Sequence, residues 1–132
     1  MSAIVTITTE FIIREQLPFA LTNGNDGRGS KWFSSAKGRK TYERELRRLD
    51  LVPAHPFEFP VIVHVTRILG PKQSLWDSSS IGRGNWKEIE DAMVAVGWFV
   101  DDGPKYIKET RFFQCATMRH EGPSILLEIK KA

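Results

Sequence analysis

An α+β fold is the class that this 132-residue sequence predicts, with two helices covering a sheet of about four strands. Segments rich in β-branched and aromatic residues are interspersed with two segments of helical periodicity, in the order β-α-β-α-β-β. The length is typical of one domain, and the sequence contains no internal repeat. Residues 1–132 are therefore expected to form a single domain around one mixed sheet, whose strand order the sequence leaves open.

Four segments have the composition of strands. Residues 3–13 alternate well enough to predict a first strand with one buried face. Residues 57–69 are apolar on both alternating faces from about Val61, which is typical of a strand inside a sheet. Residues 105–117 and 124–130 are predicted to be the two closing strands.

The first predicted helix follows a long loop rich in turn-forming residues. Ser34 or Ser35 is its expected cap, because a serine oxygen accepts a hydrogen bond from the first helical turn. The helix is expected to run to about Leu49, with Gly38 as its one internal weakness.

The second predicted helix begins after a loop rich in serine and glycine. Asn85 is the expected cap and Glu88 its partner, in an asparagine version of the capping box. Gly97 is expected to end the helix, because glycine adopts the left-handed conformation that follows many helices. The apolar face predicted to pack on the sheet consists of Trp86, Ile89, Met93 and Val96.

The composition excludes several classes of protein. An apolar fraction of 41% and a charged fraction of 27% are ordinary for a globular domain, which argues against wholesale disorder. No stretch approaches the roughly 18 consecutive apolar residues of a membrane helix, and the N-terminus lacks a signal-peptide layout. A cytoplasmic protein without a membrane partner is therefore expected. Cys115 is the single cysteine, with no histidine near it in sequence, so neither a thiol nucleophile nor a zinc knuckle is indicated.

Charge is distributed unevenly along the chain. Residues 28–48 contain eight basic residues against two acidic ones, whereas residues 77–102 contain six acidic residues against two basic ones. A basic half beside an acidic cluster suits a metal-dependent enzyme that acts on phosphate esters. It also suits an ordinary protein with an uneven surface charge, so both interpretations remain open.

The basic half is the predicted nucleic-acid surface. Its loop "NDGRGSKWF" combines glycines for close backbone approach with Trp32 and Phe33 as candidate base-stacking groups. A solvated helix face is the alternative. The candidate DNA-binding residues are Arg28, Lys31, Lys37, Arg39, Lys40 and Arg83.

One lysine and several carboxylates surround the second helix in sequence. Lys87 and Asp91 are four residues apart and hence on one helical face, Asp77 precedes the helix, and Asp101 and Asp102 follow it. Converging carboxylates would hold magnesium, which activates water and neutralises a scissile phosphate while a lysine stabilises the developing anion. Such residues are also common on solvated surfaces, and their spacing does not decide between the two.

The segment that contains the second predicted helix and the paired aspartates resembles a known family. The run "NWKEIEDAMVAVGWFVDDGPKYI" resembles RusA-like endonucleases, the Holliday junction resolvase family common in phages and prophages. In that family a helix carries a lysine and, four residues on, an aspartate, and paired aspartates follow about ten residues later. The clear match covers about residues 77–107, and the remainder fits in outline. The positions that keep the spacing are Lys87, Asp91, Asp101 and Asp102.

The resemblance implies an α+β homodimer that binds branched DNA and cuts it with Mg²⁺, with one active site per subunit. It also implies a phage or prophage protein of a bacterial host. Carried over by position, Asp101 and Asp102 are the catalytic and metal-binding pair, and Lys87 is the essential lysine. Asp91 is a supporting metal-binding carboxylate. Asp77 takes the place of the first aspartate in the family's Asp-x-Asp-Asn motif, as a further catalytic and metal-binding residue.

The sequence departs from the family in this upstream motif. It has "DSSS" there, so that Ser79 and Ser80 replace the second aspartate and the asparagine. A serine hydroxyl is a weak, neutral ligand, and the change predicts weaker metal binding. Whether another carboxylate, such as Glu88 or Glu90, replaces the missing aspartate is left open by the sequence. Three hypotheses follow: a magnesium-dependent junction endonuclease, a RusA-like protein that only binds structured DNA, and a protein-interaction domain with no nucleic-acid role.

Overall fold

The computed structural model describes residues 11–23 and 35–132, and its elements confirm the predicted α+β class and element order. Two 3₁₀ helices, Ser78–Arg83 and Arg119–Glu121, lie in the connections. The strands and α-helices are β1 (Ile13–Leu17), α1 (Ser35–Arg48), β2 (Val61–Ile68), α2 (Trp86–Ala95), β3 (Ile107–Cys115) and β4 (Ser124–Lys131).

The four strands form one mixed sheet in the order β1-β4-β2-β3. β4 pairs antiparallel with both β1 and β2, whereas β2 and β3 are parallel. Parallel neighbours need a crossover connection, and α2 lies in the one between β2 and β3. β2 is an interior strand, as its apolar composition predicts.

The first described strand, β1, overlaps the predicted first strand at one residue. Of residues 3–13 only Ile13 belongs to β1, and residues 3–10 lie outside the described ranges. The prediction stopped too early because residues 14–16 are polar. β1 is an edge strand, where a charged side chain finds a partner across the ladder: Arg14 Nε lies 3.1 Å from Glu128 Oε2.

The hydrophobic core lies between the sheet and the two helices. The predicted apolar face of α2 is buried, with Ile89 and Met93 fully inaccessible to solvent. Burial of each such side chain stabilises the fold by about 1.5–3 kcal/mol. The sheet residues buried against the helices include Leu17, Val61, Val63, Val65, Ile125, Leu127 and Ile129.

The two ends of α2 differ in how well the sequence predicts them. Gly97 ends the helix as expected, with φ +100°, and Trp98 N–H donates to Met93 O at 2.9 Å in a Schellman arrangement. The predicted capping box is wrong: the Asn85 side chain makes no capping hydrogen bond. Its carboxamide bonds to other parts of the chain instead.

The first helix confirms its prediction to within one residue at its C-terminal end. Gly38 is tolerated inside it because α1 packs on α2 at this point. A Cβ atom placed on Gly38 would lie 3.4 Å from Glu88 Cγ, so the residue is buried between the helices. Among the residues described, no helix is long and apolar enough to cross a membrane.

Candidate functional site

Lys87 lies at the centre of an acidic cluster on the first turn of α2. Its Nζ is 3.1 Å from Asp91 Oδ1 and 3.6 Å from Glu90 Oε1, and it also hydrogen-bonds to Asp102 Oδ2. The helical repeat places residues three and four positions after Lys87 on its face. Asp102 reaches the same point from the loop that follows α2.

Three carboxylates of this cluster could hold one metal ion together. Glu90, Asp91 and Asp102 each offer an oxygen, and these oxygens all lie within 4.8 Å of one another. With the ammonium of Lys87 the ionised cluster has a net charge of −2, which a divalent cation would neutralise. Carboxylate oxygens are the ligands that Mg²⁺ prefers, so the donor set fits this ion.

The pKa values of Lys87, Glu90 and Asp102 are shifted by their surroundings in the cluster. The hydrogen bond from Lys87 holds the pKa of the Asp102 carboxyl below its ordinary value, and the same bond raises the pKa of Lys87. Burial raises the pKa of Glu90, whose side chain is only 13% exposed against 61% for Lys87. At neutral pH Lys87 is therefore a cation and Asp102 an anion.

The Asp101 carboxylate makes a local hydrogen bond with the main chain. Its Oδ1 accepts the backbone N–H of Asp102 at 2.8 Å, and the side chain is exposed. Among the described residues, the grouped carboxylates are those of Glu90, Asp91 and Asp102, without Asp101. Asp101 thus fixes the main chain that carries Asp102, and its predicted role as a ligand stays a prediction.

Asp77 is also outside the grouped carboxylates. It is exposed and precedes the 3₁₀ helix Ser78–Arg83. Its neighbour Trp76 is held by Gln114, whose carboxamide accepts the Trp76 N–H and donates to the Trp76 oxygen, each at 2.9 Å. Gln114 is near the C-terminal end of β3, whereas Asp101 and Asp102 precede the N-terminal end of that strand.

The replaced part of the upstream motif offers no exposed ligand at Ser80. That residue is 6% exposed, and its backbone N–H donates to the Asp77 carbonyl at 2.9 Å. The structure thus uses Ser80 to build the 3₁₀ helix.

The predicted DNA-binding residues are described only in part. Arg28 and Lys31 lie outside the described ranges, and Lys37 lies in α1 with its side chain outside them. In the same helix Arg39 pairs with Glu43 at 3.2 Å, and Lys40 is exposed. Arg83 is exposed at the end of the 3₁₀ helix.

Two residues of the site region were not assigned from the sequence. Glu90 was named only as one of two possible substitutes for the missing aspartate. It is three residues after Lys87 and so on the same helical face as Asp91, a spacing that could have selected it. Asn85 gave no usable signal, because its partners are distant in sequence.

Comparison with known proteins adds no relative. No protein-family model matches this chain, and neither does any curated protein. The likeness to RusA-like endonucleases therefore rests on the motif around Lys87 alone.

Proposed function

We propose that this protein is a magnesium-dependent endonuclease that cleaves branched DNA, such as Holliday junctions, by metal-assisted phosphodiester hydrolysis. The observation that carries the proposal is the grouping of Glu90, Asp91 and Asp102 around Lys87. Two of those three carboxylates and the lysine are the residues that the family resemblance selects.

Each residue has a role in the proposed chemistry. Glu90, Asp91 and Asp102 would hold Mg²⁺, which supplies an activated water and neutralises charge on the scissile phosphate. Lys87, held cationic by its carboxylate partners, stabilises negative charge that develops on the phosphate oxygens. Asp101 orients the main chain of Asp102.

The ligand set in this proposal differs from the one that the sequence predicts. The family pattern draws its ligands from Asp77, Asp91, Asp101 and Asp102. Because Ser79 replaces an aspartate of that pattern, we assign the missing carboxylate to Glu90, which already belongs to the cluster. Of the remaining two aspartates of the pattern, Asp101 supports the main chain of Asp102, and Asp77 has no place in this ligand set.

The DNA surface is assigned to α1 and the segments next to it. α1 packs on α2, so that Arg39 and Lys40 belong to a helix adjacent to the one that carries Lys87. Phosphate contacts from such residues give an affinity that falls steeply with salt. Arg83, Lys37 of α1, and Arg28 and Lys31 of the segment "NDGRGSKWF" complete the proposed surface.

A homodimer is the assembly that fits the proposed reaction. Symmetric cleavage across a four-way junction needs two sites related by a two-fold axis, and isologous dimers supply that symmetry. The family resemblance also assigns the protein to a phage or prophage, acting in the cytoplasm of a bacterial host.

The proposal is tested by incubating a labelled four-way DNA junction with the protein, with and without Mg²⁺. We expect cleavage with Mg²⁺, none with EDTA, and little cleavage of a linear duplex of the same sequence. Equal, weak binding of junction and duplex at moderate salt, with no cleavage, would instead favour a protein-interaction domain.

A second candidate function is junction binding without cleavage. Two observations favour it: Ser80 is buried where the family has a polar ligand motif, and the ammonium of Lys87 already neutralises part of the acidic cluster. This protein would bind junctions equally with Mg²⁺ and with EDTA and would not cut them with any divalent ion.

Glu90→Gln is expected to weaken Mg²⁺ binding at least about tenfold, because it removes one charged ligand without changing the side-chain shape. Isothermal titration of the protein with Mg²⁺ measures this change directly. Glu121→Gln is the matched control, since Glu121 is exposed and lies beside the C-terminal end of β3, whereas Asp102 precedes the N-terminal end of that strand. Equal affinities for the two variants would remove Glu90 from the ligand set.

A further inference from the structure

The carboxamide of Asn85 connects three parts of the chain. Its Oδ1 accepts the backbone N–H of Thr22 at 2.8 Å. Its Nδ2 donates to the Ala20 carbonyl at 2.9 Å and to the Tyr42 hydroxyl at 2.8 Å. Segment 20–22, helix α1 and the start of α2 therefore meet at one side chain, which uses both of its donor hydrogens and accepts one hydrogen bond in doing so.

The neighbouring glycine shows independently that this junction is tightly packed. A Cβ atom on Gly84 would lie 1.7 Å from the Thr22 carbonyl oxygen and 2.2 Å from the Thr22 carbonyl carbon. Only glycine lets the two main chains approach this closely. Gly84 and Asn85 together thus form a seat for residues 20–22.

Two of the three connected segments, α1 and α2, carry residues that the proposed function uses. Asn85 is two residues before Lys87, at the start of the helix that carries the acidic cluster. Tyr42 is two residues after Lys40 in α1. The Asn85–Tyr42 hydrogen bond therefore sets the position of the basic helix against the acidic one. A helix cap would be the ordinary use of this residue, and Asn85 makes no capping bond.

We propose that Asn85 is a positioning residue that fixes α1 and residues 20–22 relative to Lys87 and its carboxylates. DNA held on the basic helix then presents its scissile phosphate to the acidic cluster. Asn85 itself touches neither phosphate nor metal. This inference rests on the proposed endonuclease function and adds to it the element that aligns substrate with site.

Two variants separate positioning from general stability. Tyr42→Phe removes only the hydroxyl that Asn85 contacts and keeps the ring that packs edge-on against Phe19, with centroids 5.0 Å apart. Asn85→Ala removes all three bonds. Gln16→Ala is the matched control, because the Gln16 carboxamide donates to Ser124 Oγ at 3.0 Å and so ties β1 to β4.

The expected result is a fall in kcat at nearly constant affinity. Small displacements of bound substrate cost large factors in rate, so kcat should fall about tenfold or more in Asn85→Ala and about threefold in Tyr42→Phe. The Kd for the junction in EDTA should stay within about twofold of native. Gln16→Ala should lower Tm about as much as Asn85→Ala does, but it should leave kcat unchanged. A native kcat in folded Asn85→Ala overturns the proposal.

An experiment without DNA tests the link itself. The Thr22 amide should exchange with deuterium at least about tenfold faster in Asn85→Ala than in Gln16→Ala, because its acceptor is gone. Unchanged exchange overturns the link even if the native protein cuts junctions. Faster exchange in a protein that never cuts DNA shows that the link exists but the endonuclease function fails, and the positioning role then fails with it.

Discussion

Asp102→Asn is expected to lower the rate of magnesium-dependent junction cleavage at least about 100-fold while leaving junction binding almost unchanged. The substitution keeps the side-chain shape but removes one of the three grouped carboxylates and the charge that pairs with Lys87. Single-turnover cleavage of a labelled junction measures the rate, and a gel-shift titration in EDTA measures binding.

Asp50→Asn is the matched control for this experiment. Asp50 is exposed beyond the end of α1 and has φ +57°, a conformation that asparagine also tolerates. Neither variant should change the free energy of unfolding by more than about 1 kcal/mol, because exposed ion pairs contribute little. Full cleavage by Asp102→Asn would contradict the assignment of the site, whatever the control shows.

The outcome also separates the two candidate functions. An endonuclease loses cleavage and keeps binding when Asp102 is replaced. A protein that only binds junctions shows no cleavage to lose, and its affinity should rise slightly in the variant, since a negative charge near the DNA has been removed. Binding and cleavage must therefore be measured on the same preparations.

Much of the fold follows from local pattern in the sequence. β2 and α2 are long segments with a clear apolar pattern. The burial of β2 and of the apolar face of α2 confirms both predictions. The strand beyond Ile13 was not predicted because residues 14–16 are polar, and only pairing with β4 makes them a strand. The strand order depends on contacts between distant segments and has no local signal.

The residues of the candidate site also differ in whether local sequence pattern or distant contacts bring them together. Lys87 and Asp91 are brought together by helical spacing, which the sequence shows directly. Asp102 joins them through a loop: its place after the helix made it a candidate, and the family resemblance selected it. Asp77 and Asp101 share the chemistry but have carboxylates outside the group, because loop geometry is not encoded in spacing. Asn85 looked like a helix cap because its real partners are brought near only by folding.

Gly84→Ala is expected to destabilise the protein by about 3 kcal/mol or more, the largest stability effect of any change considered. The added Cβ would lie 1.7 Å from the Thr22 carbonyl oxygen, and a main-chain atom cannot rotate away as a side chain can. Residues 20–22 must therefore leave their seat. Two hydrogen bonds are lost with it: the one that Asn85 donates to the Ala20 carbonyl and the one that it accepts from the Thr22 N–H. Chemical unfolding followed by circular dichroism measures the loss.

Gly38→Ala is the matched control, because its Cβ would meet only the flexible Glu88 side chain, at 3.4 Å, and alanine favours a helix interior. Its stability should be equal to or above that of the native protein. If Gly84→Ala unfolds at the same denaturant concentration as Gly38→Ala, the seat at Gly84 is looser than the contact implies. Asn85 would then hold residues 20–22 by its hydrogen bonds alone, and the slower cleavage expected of Asn85→Ala would have to come from those bonds.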